Sequence, residues 1–478
     1  MLNLTFKLQP DGAAPLYRQL YEALAGQIRA GTIPAGTRLP GKRTLAAEQN
    51  ISVNTVDTAY QMLAAEGYVA SRARSGFAVL PYEDAVFAPR GVPAPAAAAR
   101  PAAPAEPPCR FDLSTRGVDT GLFPFRSWGR IQRELLYTSP QLLHPGQPAG
   151  DPELRSALAE YLAAYRGVRC SPEQIVVGAG VEYLLGLLAP ILPGPAAVED
   201  PCYPRAKAIF ENAGTLCRSL PVDGGGLSVR ALAASDAAVC YVTPSHQFPT
   251  GVTMPAPRRA ELLRWAARQP GRYIIEDDYD SEFRFDIRPL PSLQGMAGPD
   301  GPVIYLSTCS RSLAPSIRIA YMVLPTGLVE RFRARYGLYS STVSRYEQHT
   351  LAEFIRQGHF TRHLARMRSE YKHRRDALAE ALYAAFGREN LTLGGLHTGL
   401  HLLLTLKNGP GEAAMVAAAA GAGVRLTGLS GYYHGSAAAC PPSTVVVGYG
   451  ALRAEDASAA AEALSIAWRN ASVSSSNS

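Results

Sequence analysis

The chain has 478 residues, 47% of them hydrophobic, and a formal net charge of +7. That length supplies more than one core, and the composition excludes a disordered or fibrous chain. No apolar run approaches the ~20 residues of a membrane-spanning helix, so no membrane partner is expected. The seven cysteines (Cys109, Cys170, Cys202, Cys217, Cys240, Cys309 and Cys440) are scattered and form no CxxC pair, which points to reduced thiols rather than a disulfide framework or a zinc site. The opening MLNLTFKLQPDG lacks the basic and apolar regions of a signal peptide, so a cytoplasmic location is expected. A positive balance permits a nucleic-acid partner without demonstrating one.

Residues 1–80 form the first predicted domain. Leu16, Leu20, Leu24 and Ile28 recur every four residues and give one apolar helix face, which Gly31 ends. After the turn-rich TIPAGTRLP, Lys42 to Gln49 reads as a second short helix. Ser52 caps a third that carries Val56, Ala59, Tyr60 and Leu63. YVASR and GFAVL then read as two strands around Ala73, Arg74 and Ser75. Three helices and a basic hairpin make a winged helix-turn-helix, whose third helix fits a major groove of double-stranded DNA. Its candidate contacts are Ser52, Asn54, Thr55 and Tyr60. Arg43 and Thr44, opening the second helix, are candidates for phosphate. Arg72, Arg74 and Gly76 are the wing's candidates for the minor groove or backbone.

The strings PLYRQLYEALAGQIRAGTIPAGTRLP, KRTLAAEQNISVNTVDTAYQMLAAEGYV and SRARSGFAVL resemble, in that order, the GntR family of winged-helix regulators over residues 14–80. Two positions depart from the family pattern. Gly41 stands where Ser is frequent, losing a hydroxyl cap, and Val53 stands where Arg is frequent, losing a phosphate or base contact.

Residues 81–110 contain FAPRGVPAPAAAARPAAPAEPPCR, a Pro/Ala-rich stretch that reads as a semi-rigid linker. About 29 residues in polyproline form would reach ~90 Å. Residues 111–470 alternate short apolar strands with amphipathic helices, the pattern of an α/β domain with a mainly parallel sheet. A smaller C-terminal α/β subdomain is expected from about 340 to 470, and a disordered tail over 471–478.

Within that domain IIEDDYDSEFRF follows a strand-like run, placing acids where α/β folds bind ligands. In VIYLSTCSRSLAPSIRIAYMVLP a turn rich in hydroxyls and arginine joins two strands, and Thr308, Ser310 and Arg318 are candidates to converge on a phosphate. VVGAGVEYLLGLL is a glycine-containing turn entering a helix, a second candidate anion site.

These motifs, with EDPCYP and YVTPSHQFPTGVTMPAPRRAELLRWA, together resemble the MocR/GabR group, in which a GntR head is fused to a fold-type I aminotransferase domain. The match covers roughly residues 111–455. The resemblance implies a pyridoxal 5'-phosphate site. Asp277 would pair with the pyridine nitrogen, Tyr279 with the ring hydroxyl, and Tyr203 would stack on the ring. Thr308, Ser310 and Arg318, with amides near Gly180 and Val181, would hold the phosphate, and Arg205 resembles an effector-carboxylate anchor. It also implies a head-to-tail homodimer and a small-molecule effector.

One departure matters most. Where the family reads TFSK, its lysine forming the Schiff base, this chain reads TCSR over Thr308, Cys309, Ser310 and Arg311. A guanidinium stays protonated and cannot form that bond. The lysines (Lys7, Lys42, Lys207, Lys372 and Lys407) all lie elsewhere. Val181 stands where relatives tend to carry a hydroxyl, and the late strand STVVVGYGAL lacks a carboxylate-binding arginine. Two readings of Arg311 stay open: a noncovalent site for pyridoxal phosphate or another anion, or an eroded pocket in a dimer scaffold. The leading expectation is a regulator that binds operator DNA and senses pyridoxal phosphate or an amino-acid-derived effector. The alternatives are an active aminotransferase, against which Arg311 argues, and an effector-independent DNA-binding scaffold.

Overall fold

The computed structural model describes residues 6, 8–9, 14–72, 76–81, 109–286, 290–435 and 440–476. The chain divides into two compact units, residues 1–105 and 106–478.

In the first unit α1 (Leu16–Arg29), α2 (Lys42–Glu48) and α3 (Val53–Ala65) precede an antiparallel hairpin of β1 (Val69–Arg72) and β2 (Gly76–Val79). Leu20, Leu24, Leu45, Val56, Ala59 and Leu63 meet in one core that the hairpin closes with Val69, Phe77 and Val79. Ser52 caps α3 by accepting from the Thr55 amide at 3.0 Å. Gly41 precedes α2 without a side-chain cap. Tyr60 departs from the expectation. It is 1% exposed, packs edge-on to Phe77, and donates its hydroxyl to the Pro40 carbonyl at 2.9 Å. Its register with Val56 and Leu63 turns it inward, so it braces α3 and does not face a groove. Arg74 and the linker from 82 to 108 lie outside the described residues.

The second unit opens with β3 (Phe111–Asp112), α4 (Phe125–Thr138) and α5 (Pro152–Arg166). Its strands and helices then alternate: β4 (Ile175–Gly178), α6 (Val181–Leu188), β5 (Ala196–Asp200), α7 (Pro204–Asn212), β6 (Cys217–Asp223), β7 (Gly226–Leu227), α8 (Val229–Ala234), β8 (Val239–Val242), α9 (Ala256–Ala267), β9 (Tyr273–Asp277), α10 (Leu293–Ala297), β10 (Val303–Thr308) and β11 (Ala320–Val323). The sheet order is β4-β11-β10-β9-β8-β5-β6-β7. The central run from β10 to β6 is parallel, and β11 lies antiparallel to both its neighbours. Alternate residues feed opposite faces: Ile275 and Tyr241 pack with Leu184 and Phe210, whereas Ile274 and Cys240 pack with Leu262 and Trp265.

The chain continues through α11 (Thr326–Tyr336), α12 (Arg345–Arg356), α13 (His359–Phe386), β12 (Leu391–Gly394), β13 (His401–Leu406), α14 (Glu412–Gly421), β14 (Val424–Arg425), β15 (Thr427–Gly428), β16 (Thr444–Gly448) and α15 (Ala457–Ser476). A second sheet, β12-β13-β16-β15, packs with α13 and α15 around Tyr371, Leu402, Val445 and Trp468. The subdomain boundary differs from the expected position near 340. Leu351, Phe354, Phe360 and Leu364 belong to a core of the large sheet, and Met367 onward to the smaller core. The division therefore falls within α13, a continuous 28-residue helix that carries no break for a sequence pattern to show. Phe111 and Leu113 join the smaller core, with β3 pairing β14 in parallel. The expected tail is also shorter, because α15 runs on to Ser476.

A buried polar network ties α5 to the sheet. Asp278 Oδ2 accepts from Arg166 Nε at 2.7 Å, Tyr305 hydroxyl at 2.6 Å and Ser281 hydroxyl at 2.8 Å. Arg166 also donates to Ser245 Oγ at 3.1 Å. Removing one partner of a buried pair strands the other charge, which costs about 3–5 kcal/mol. Arg166→Met is expected to lower the unfolding free energy of the large unit by that amount, read as a lower urea midpoint. A wild-type midpoint would show that Asp278 does not need its guanidinium.

Candidate functional site

The C-terminal ends of the parallel strands converge on one cavity of about 250 Å³. Asp277 ends β9, Thr308 ends β10, and the turn after β4 leads through Gly180 into α6. The turn after β5 brings Tyr203 and Arg205 to the start of α7. Val181, Tyr203, Arg205, Asp277, Tyr279, Thr308, Ser310, Arg311 and Arg318 all line this cavity. Gly180 is not in its wall but caps the helix beside it.

Asp277 is buried at the base of the cavity, and burial raises its carboxyl to about 7 against the opposing hydrogen bond from Tyr241. The Tyr241 hydroxyl donates to Oδ2, while Oδ1 is buried without a partner. An orphaned carboxylate oxygen is costly unless a ligand supplies a donor. It fits the protonated nitrogen of a pyridine ring.

The anion end is built from α6 and Arg318. Gly180 has φ +104, and an added Cβ would lie 2.1 Å from Arg318 Nη2, so only glycine lets that guanidinium close over the helix start. Arg318 donates from Nη2 to the Ala179 carbonyl at 3.2 Å and to Glu182 Oε2 at 3.1 Å. The other Glu182 oxygen accepts from Arg205 Nη1 at 2.6 Å. These two hydrogen bonds, with the helix start, hold the Glu182 carboxyl below its usual range against its partial burial. Thr308 Oγ1 donates to Ser310 Oγ at 3.0 Å, which sets both hydroxyls at the same end. Val181 offers only its backbone amide there.

Tyr203 packs edge-on to Phe248 and receives the Arg205 guanidinium 5.5 Å from its ring centroid. The Tyr279 hydroxyl donates to the His246 carbonyl at 3.0 Å, and His246 Nδ1 meets Asp280 at 2.9 Å. Burial and the Asp280 charge push Tyr279 well above the ordinary tyrosine range, and Arg311 opposes them. Arg311 is half-buried in the cavity wall and has no hydrogen-bond or ion-pair partner among the described residues. Arg116, in the strand-to-helix segment before α4, lines the same cavity and is also unpartnered among the described residues. Sequence reasoning missed Arg116, Glu182 and Tyr241. Tyr241 and Glu182 lie within the motifs YVTPSHQFPTGVTMPAPRRAELLRWA and VVGAGVEYLLGLL, whereas Arg116 lies in none.

On the head, Arg43, Thr44, Ser52 and Asn54 are exposed and Thr55 is half-buried. Arg43 has no ion-pair partner among the described residues, whereas Lys42 is paired with Asp57. The Ser52 and Thr55 hydroxyls bond to each other at 2.8 Å. Gly76 opens β2 with φ +76, a conformation only glycine adopts freely. Arg72 ends β1.

Two sequence families match the chain: bacterial regulatory proteins of the gntR family over residues 16–79, and aminotransferase class I and II over residues 118–420. The HTH-type transcriptional regulator YdeL of Bacillus subtilis is 39% identical over 95% of this chain and 97% of its own length. The HTH-type pyridoxine biosynthesis transcriptional regulator PdxR of Corynebacterium glutamicum is 32% identical over 94% of this chain and 95% of its own length. Among solved structures, the multiple substrate aminotransferase of Thermococcus profundus superposes with a TM-score of 0.67 at 24% identity, covering 76% of this chain and 91% of that one. This last similarity is one of fold.

The Asp277 carboxyl gives a pH signature. Below pH 7 the cavity already holds the proton that an N–H···O bond to a ring nitrogen needs, and above pH 7 that proton must be taken from solution. Affinity for a pyridine-type ligand is expected to fall as pH rises from 7 to 8.5, by at most about tenfold per unit. Asp277→Asn should flatten that dependence in a fluorescence titration, and a slope that survives the substitution would assign it to another group.

Proposed function

From a chain that belongs to the MocR/PdxR type of HTH transcriptional regulators, a GntR-family head joined to an aminotransferase class I and II domain, we propose a regulator whose large domain senses an aromatic phosphate of the pyridoxal-phosphate kind, held without a covalent bond. The observation that carries this reading is Asp277 Oδ1, buried and unpartnered at the base of a cavity whose other end is an arginine and a helix start. Bound there, pyridoxal phosphate would supply a protonatable ring nitrogen, a ring hydroxyl and a phosphate dianion.

This chain's residues suit binding and not turnover. Asp277 holds a proton at the ring nitrogen, Tyr203 and Phe248 exclude water from the ring faces, and Arg318, Ser310 and Thr308 receive the phosphate. Arg205 is the candidate anchor for an effector carboxylate. No amine stands at position 311 to attack a carbonyl carbon or to carry a proton from it. Catalytic inactivity follows as part of this proposal.

On the head, Arg43 and Thr44 are assigned to phosphates, Asn54 and Thr55 to base edges, Ser52 to the cap that aims them, and Arg72, Arg74 and Gly76 to the wing. The large unit is assigned a homodimer, supported by the exposed Phe125, Tyr137, Leu143 and Leu338. The protein works where its operator is, in the cytoplasm.

Two expected outcomes test this function. With the full chain and a duplex selected from a random pool, pyridoxal phosphate should change DNA affinity by roughly 5–150-fold, the usual range of coupling between sites. Equal affinity with and without it would favour an effector-independent scaffold. Arg43→Ala should weaken binding to all duplexes and reduce the slope of log K against log salt by about 1. An unchanged slope would remove Arg43 from the phosphate contacts.

A further inference from the structure

The helix assigned to the major groove carries no cation. From Val53 to Ala65, α3 reads VNTVDTAYQMLAA, without lysine, arginine or histidine. Positive charge on the head is placed elsewhere: Arg43 lies in the first turn of α2 and Arg72 ends β1. Lys42 of α2 is paired with Asp57, the only acid on α3, and lies 5.3 Å from the Phe77 ring centroid. Outside the buried stripe of Val56, Ala59, Tyr60 and Leu63, the helix exposes Val53, Asn54, Thr58, Gln61 and Ala65. The Thr58 hydroxyl donates to the Asn54 carbonyl at 2.9 Å, so its proton is engaged within the helix. The face left for base edges is built of carboxamides and apolar groups.

Base pairs differ in what they require of such a face. Guanine presents acceptors at N7 and O6, which a guanidinium or an ammonium satisfies best, and its cytosine partner presents a donor that a carboxylate accepts. α3 has no cation for the first, and its one carboxylate is held by Lys42. Adenine presents an acceptor at N7 beside a donor at N6, and a carboxamide supplies the matching donor and acceptor together. Thymine adds a methyl group, which takes an apolar partner. Val53 is 44% exposed at the first position of α3, with Asn54 beside it. The first turn of a recognition helix is the part that reaches base edges. An isopropyl group there gains by leaving water for a thymine methyl.

We propose that the operator's base pairs facing α3 are A·T pairs, with Asn54 reading an adenine edge and Val53 packing on the methyl group of a neighbouring thymine. This inference rests on the DNA-binding reading of the head above and adds the chemistry of the sequence that it reads. Affinity and specificity are divided between elements. Arg43 and the wing supply salt-dependent attraction to phosphates, and α3 supplies uncharged discrimination between bases. Val53, where an arginine would favour guanine, acquires a contact of its own in place of the one lost.

The test uses the full-length protein and a duplex enriched from a random pool. The selection is repeated with Val53→Ala and Asn54→Ala, and the base pairs facing α3 are those whose preference relaxes. Both side chains are exposed, so neither change opens the head's core, and affinity for random DNA should stay the same. Wild-type protein is then titrated with duplexes altered at one base, which needs no variant. Deoxyuridine in place of one thymine removes only the methyl group and should weaken binding about fourfold, the contribution of one buried methyl. 7-Deazaadenine in place of one adenine removes only N7 and should weaken it about fivefold, the contribution of one hydrogen bond. The first effect should vanish in Val53→Ala and the second in Asn54→Ala. A G·C pair at a position that either variant relaxes would overturn the inference and leave the DNA-binding reading standing. So would insensitivity of every thymine to deoxyuridine, or a consensus unchanged in both variants. If no duplex were enriched over random DNA, the sequence-specific reading of the head would itself fail, and the inference with it.

Discussion

The site depends on how one buried carboxylate is held. Asp277 and Asp278 are adjacent at the end of a parallel strand, and strand alternation sends them to opposite sides. Asp278 engages Arg166, Tyr305 and Ser281 through Oδ2, which ties the strand end to α5 and β10, while its Oδ1 is buried without a partner. That anchoring leaves Asp277 the cavity side and keeps it enclosed, with a single donor from Tyr241. The raised carboxyl, the orphan oxygen and the placement of Thr308 one strand away all follow from this arrangement. Without the Arg166–Asp278 pair, the strand end would have two competing acids and no fixed partner for a ligand.

The cavity then divides by charge. Its base is acidic and proton-holding, one end is a helix start with Arg318 and a resident Glu182, and Arg311 and Arg116 line it with no ion-pair partner among the described residues. The apolar walls from Val181, Leu185, Ile209 and Phe248 suit a flat ring between these poles. A lysine at 311 would make the same cavity reactive. Under the proposed function, the arginine makes it a site that binds its ligand and releases it unchanged.

Much of this was legible in the sequence because the chemistry sits in contiguous strings. The acids of IIEDDYDSEFRF, the hydroxyls and arginines of the TCSR turn, and the glycine turn before α6 each lie at a strand end, and the parallel sheet gathers strand ends by construction. The head was legible for a similar reason, since its periodicity is regular and Ser52 is an ordinary cap. What escaped was long-range or ambiguous. Tyr60 shares the 3.6-residue register of the core and also the helix that reads DNA, and only packing against Phe77 and Pro40 decides between them. The subdomain division inside α13 has no turn or glycine to mark it. Arg116 enters the cavity from a segment with no motif, and the pairing of Glu182 with both Arg205 and Arg318 joins three separate strings.

The most direct test of the account is an absorbance titration of the purified protein with pyridoxal phosphate, followed by dialysis and by borohydride treatment of a parallel sample. The account predicts a saturable spectral shift that dialysis reverses and that borohydride does not fix to the chain. A borohydride-fixed adduct formed in step with the spectral shift and mapped to the cavity would contradict it, and the absence of any shift would show that the cavity no longer takes the ring.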